Sequence, residues 1–134
     1  MAGYKYNLQK LLDIRISTEQ EKKNQMGLAV QRLEKEKQRL KHIKEELDLM
    51  KNRFAEETSE GMEVNELKLL INYIDYYKRS IKDQKLKIKM AEDHLSICRA
   101  ELLTATQEKK MIEKLKEKDF EKYLYQEQKK EEKL

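Results

Sequence analysis

The apolar residues of this chain form two long series separated by one break. In the first, Met26, Ala29, Leu33, Leu40, Ile43, Leu47, Met50 and Phe54 follow alternating steps of three and four, with Glu36 filling one place. In the second, Leu67, Leu70, Ile74, Tyr77, Ile81, Ile88, Ala91, Leu95, Cys98, Leu102 and Ala105 do the same, with Gln84 filling one place. That spacing puts one stripe on each of two helices, and stripes of this period close on each other as a coiled-coil seam. Sustained over many turns, it predicts a left-handed supercoil rather than a globular core.

The break is "EETSEGMEVNE", residues 56–66. Thr58 and Ser59 compete with helical hydrogen bonding, Gly61 brings a permissive backbone, and Asn65 is a candidate cap for the second helix. The expected fold is therefore all-α: two long helices in an antiparallel left-handed coiled-coil hairpin. Residues 1–134 form a single coiled-coil domain, with helix one about 4–57, the turn about 58–64 and helix two about 65–131.

A register centred near Met62 sets Leu33 by Ala91, Ala29 by Leu95, Ile43 by Ile81, Leu47 by Tyr77 and Phe54 by Leu70. Large residues then face small ones in two layers, as close packing prefers. Helix one loses its apolar residues between Ser17 and Gln25, where the register opposes Glu19 and Lys22 to Ala105 and Leu102. The expectation is that helix one packs weakly there. Helix two is longer, so Met111, Ile112, Leu115, Phe120, Tyr123, Leu124 and Tyr125 lie on an overhang with no helix one to receive them beyond about Leu115.

Composition agrees with long helices. Of 134 residues 42% are charged, with no Pro and three Gly, so a compact core is not expected. Lys and Glu are interleaved, and the net charge is only +4, which reads as solvated helix faces. One cysteine, Cys98, excludes an internal disulfide framework and fits a reducing compartment. The first residues lack the apolar run of a secretory signal, and no stretch approaches the roughly 20 apolar residues of a membrane span.

No catalytic set is visible, and no metal or cofactor is expected. His42 and His94 stand alone, outside any metal-ligand spacing. Three scattered glycines make no phosphate loop. The most uneven stretch is "YIDYYKRSIKDQKLKIK", residues 73–89, where three tyrosines precede Lys78, Arg79, Lys82, Lys85, Lys87 and Lys89. Tyr77 belongs to the seam series. Tyr73 and Tyr77 also have the i,i+4 spacing of a helical recognition edge for a protein partner. The basic strip leaves a nucleic-acid-binding coiled coil as the alternative reading, although stacking on single strands wants interleaved aromatics and these stop at Tyr77.

The two ends together resemble the FliJ family of flagellar export proteins. The start "YNLQKLLDIR" (residues 6–15), the later "KKMIEKLKEK" (109–118) and "INYIDYYKRSI" (71–81) carry the resemblance, which covers nearly the whole chain. It implies a two-helix antiparallel coiled coil similar to the gamma-subunit stalk of rotary ATPases, acting as a non-enzymatic component of flagellar protein export. The implied partners are the hexameric export ATPase FliI, the cytoplasmic domain of the export gate protein FlhA, and export chaperones. No nucleic acid is expected, and the membrane only through the export complex, at its cytoplasmic face. By matching positions, the ring-facing residues are Leu8, Gln9, Leu12, Arg15, Lys110, Glu113 and Leu115, and the gate contact is Tyr73, Tyr77 and Ser80, with Ser80 standing where the family has a small apolar residue. The equivalent stalk of virulence-type III secretion systems remains a neighbouring reading.

Overall fold

The computed structural model describes residues 3–133. It contains two helices, α1 (Gln9–Ser59) and α2 (Val64–Glu132), of 51 and 69 residues. They run antiparallel and pack on each other as a hairpin coiled coil. Helix α1 starts five residues later than the pattern predicts, because residues 3–8 leave the helix to lie along α2.

At the turn, the hydroxyls of Thr58 and Ser59 donate to the carbonyls of Phe54 and Glu56, satisfying acceptors that the ending helix would leave open. Gly61 has φ +83°, a left-handed conformation that a Cβ would strain. The expected cap at Asn65 does not form. Glu63 opens α2, its carbonyl accepting from the Leu67 amide at 3.0 Å, and Asn65 lies inside the first turn.

The chain divides into two compact units. Unit 2, residues 28–96, holds the turn. Its buried residues are Ala29, Leu47, Leu70, Ala91 and Leu95, with Leu33, Ile43, Phe54, Tyr77 and Ile81 half-buried between them. All of them lie on the predicted seam. Gln84, also on the seam, is 2% exposed, and its amide donates to the Glu36 carbonyl at 3.0 Å and to the Glu36 carboxylate. A buried amide needs such partners, and here both come from Glu36, the polar position within the series of residues 26–54 in α1.

Unit 1 joins residues 3–27 to residues 97–133. Leu12, Cys98 and Ala105 are its buried apolar residues. Glu19 is buried beside them at 6% exposure. The polar stretch of α1, for which the sequence predicts weak packing, is instead well packed. It is sealed by charge, because Arg15, Glu19 and Lys22 continue the three-four alternation backwards from Met26 and so face α2. The overhang is also corrected. Tyr4 packs against the rings of Phe120 and Tyr123 at centroid distances of 4.9 and 5.3 Å, so the segment before α1 covers part of α2 where no helix does.

Candidate functional site

The residues with a candidate role at the chain ends gather in unit 1. Among the described residues, three ion pairs cross between its helices. Arg15 Nη1 reaches Glu108 at 2.8 Å, Lys22 Nζ reaches Glu101 at 3.0 Å, and Lys109 Nζ reaches Glu19 at 2.9 Å. Lys23 adds a 3.4 Å contact to the same Glu19 oxygen from one turn along α1. Lys116 donates to Gln9 Oε1 at 2.7 Å, while the Gln9 amide donates to Asp13 at 2.9 Å. Farther on, Tyr4 donates to Asp119 at 2.9 Å and Tyr6 to the Ile112 carbonyl at 3.2 Å.

Electrostatics follow from this geometry. Hydrogen bonds from Lys109 and Thr106 lower the Glu19 carboxyl to a pKa of about 2, against the desolvation that would raise it. The reciprocal bond raises Lys109, and the Glu101 hydrogen bond raises Lys22. Burial, then the neighbouring Asp119 carboxylate, pushes the Tyr4 phenol up to about 12. The one buried side-chain polar atom without a partner among the described residues is Arg15 Nε, on a guanidinium committed elsewhere to Glu108.

The expected ring-facing set divides in two. Leu8, Lys110 and Leu115 are exposed, so a partner can read them. Gln9, Arg15 and Glu113 are half-buried; the first two are engaged across the hairpin, and Glu113 lies 3.9 Å from Lys109. Leu12 is 4% exposed and belongs to the core rather than to a contact surface.

In unit 2, Tyr73 and Tyr77 do not form one exposed edge. Tyr73 is exposed, whereas Tyr77 turns into the seam, where burial and then the Glu46 carboxylate raise its phenol pKa. The exposed apolar neighbours of Tyr73 are Leu69 and Tyr76, and Tyr76 meets Tyr77 edge-on at 5.6 Å. Ser80 is half-buried and lines an open groove with Arg39, His42, Glu46, Tyr76, Tyr77 and Lys87. The i,i+4 spacing does not single out Tyr76 as a contact residue; its i+3 step from Tyr73 carries that signal.

His42 is exposed and lies 2.8 Å from Glu46, an ordinary i,i+4 pair. Among the described residues no group of three or more His, Cys, Asp or Glu could hold a metal ion, and no helix is long and apolar enough to cross a membrane.

Comparison with known proteins agrees with this architecture. A structure described as that of a "putative YscO homolog CT670 from Chlamydia trachomatis" superposes with a TM-score of 0.79 at 20% identity, covering 98% of this chain and 90% of that one. At that identity the likeness concerns the fold. No curated protein matches the sequence. The family described as "Flagellar FliJ protein" matches residues 4–134, which is nearly the whole chain. The chain thus belongs to the FliJ family, the stalk proteins of flagellar type III export.

Proposed function

We propose that this chain is a non-enzymatic stalk that binds and stimulates the hexameric export ATPase FliI and links it to the FlhA gate and to export chaperones, at the cytoplasmic face of the membrane. The observation that carries this reading is the fixed frame of unit 1, with exposed side chains around it. Cross-helix bonds from Arg15 to Glu108 and from Lys116 to Gln9 fix the start of α1 against residues 108–116 of α2. Leu8, Lys110 and Leu115 are left exposed on that fixed frame. Two apolar anchors and a cation suit asymmetric docking into a ring, because a rigid surface loses little conformational entropy on binding. Coupling then needs no chemistry of its own, since a ligand shifts an ATPase between states by differential affinity alone. For the gate contact, Tyr73 with Leu69 and Tyr76 is the surface available in unit 2.

The test is ATP hydrolysis by the cognate export ATPase with and without the chain. Stimulation is expected, and Lys110→Glu combined with Leu115→Ala should remove most of it at unchanged helicity, both positions being exposed. Undiminished stimulation by that variant would overturn the assignment of the surface. No stimulation by the parent chain would overturn the function.

A further inference from the structure

Flank positions beside a coiled-coil seam usually carry opposite charges that pair between helices. Unit 1 follows this, with Glu101 and Glu108 each holding a cation of α1. One flank of unit 2 does not. On α1, Lys37, Lys41 and Lys44 follow one another at steps of four and three. On α2, Lys78, Lys82, Lys85 and Lys89 do so at steps of four, three and four. In the antiparallel register these two stripes lie on the same side of the seam. Carboxylates appear on the stripes only at their limits, Glu34 and Asp48 on α1 and Asp75 and Glu92 on α2. All seven lysines are exposed, and among the described residues none makes an ion pair. Seven like charges on one face repel each other and oppose the packing beneath them, so the face gains from an external anion.

We propose that this lysine face binds the anionic headgroups of a phospholipid bilayer. The seven ammonium groups are spread over two helices whose axes lie about 8–10 Å apart. Along α2 they extend about 16 Å, from Lys78 to Lys89. That is a patch of charge on one face, which a flat charged surface meets all at once. Every cation on the face is lysine and none is arginine. An ammonium on a flexible stem is a mobile point charge, suited to a fluid headgroup layer, while paired carboxylate or phosphate recognition favours the arginine fork. No aromatic residue lies on the face, which removes the stacking platform of a single-strand binder. Clusters of four to eight cations on one helical surface are the usual size for attraction to anionic lipid. Such a contact belongs to the chain itself and does not depend on its ATPase.

The test is co-flotation of the full chain with phosphatidylcholine vesicles, with and without phosphatidylglycerol. Binding is expected only with the anionic lipid and should weaken steeply as salt approaches physiological strength, where the screening length is about 8 Å. Each lysine removed should lower partitioning about fivefold. The triple variant Lys78→Gln, Lys82→Gln, Lys85→Gln should thus lose on the order of a hundredfold. The matched variant Lys114→Gln, Lys118→Gln, Lys122→Gln, equal in net charge but in unit 1, should lose far less. Glutamine keeps helix propensity close to lysine's, so circular dichroism should be unchanged in both. Equal losses in the two triples, binding to neutral vesicles, no binding to anionic ones, or tighter binding to a duplex oligonucleotide than to vesicles would each overturn the proposal.

Discussion

In unit 2 the seam is closed by Ala29, Leu47, Leu70, Ala91 and Leu95, with one buried amide. In unit 1 three apolar residues are buried, and the place of a further one is taken by the Glu19 carboxylate. The heptad series runs through both, yet the first seam gains stability by removing carbon from water and the second by matching charges. Burial of apolar area is indifferent to which apolar group is opposite. A carboxylate near the seam is acceptable only where a cation meets it, so Glu19 with Lys109 fixes one alignment that Ala or Leu layers would leave open to sliding. Polar seam positions are known to specify register in this way, at a cost in stability. The unit carrying the charged seam is also the one whose surface we assign to the ATPase, where a fixed alignment of α1 on α2 matters most.

The comparison breaks most visibly in unit 2. Leu95→Ala should cost about 3 kcal/mol through lost transfer energy and a cavity, read as a lower urea midpoint. A smaller effect separates the units by pH. The depressed Glu19 pKa makes its contribution fully present above the ordinary value of 4.5 and lost as pH falls from there towards 2. Urea midpoints measured down that range should therefore decline, and Glu19→Gln should flatten the decline while lowering stability at neutral pH. If the slope persists in Glu19→Gln, other carboxylates carry it. The smallest effect sharpens the contrast within unit 1. Arg15 and Glu108 remain partly exposed, so a double-mutant cycle on that pair should return only about 0.2–1 kcal/mol, and salt should erase much of it.

Much of the fold was legible because apolar residues at a fixed period leave a trace that helix propensity alone does not. The turn followed from Thr58, Ser59 and Gly61, and the register from the turn. Observed contacts lie in that heptad, with Glu46 at Tyr77 beside Leu47, and Glu19 at Thr106 and Lys109 beside Ala105. What failed to show was charge at seam positions. Glu19 alone looks like a residue of a solvated face, and Lys109 alone does too; only stepping both series onward past Met26 and Ala105 reveals that they meet. Leu12, placed in the ring-facing set by its match to the family, is core. In sequence, Tyr77 fits the seam and a docking edge at once, and its heptad position decides it, turning the ring towards α1, where the Glu46 carboxylate meets it. Tyr4 and Tyr6 lie in the segment before α1, where no periodicity points to a partner.

The hydrogen bonds of Tyr4 and Tyr6 have a temporal side. They join residues 106 to 115 positions apart in sequence. A ribosome adding roughly 5–20 residues per second takes about 5–20 seconds to make the stretch between them. Until then the two tyrosines have none of their α2 partners to hold. Tyr4 and Tyr6 are thus made well before the part of α2 that covers them, and any factor that meets them in that interval does so before the hairpin can compete.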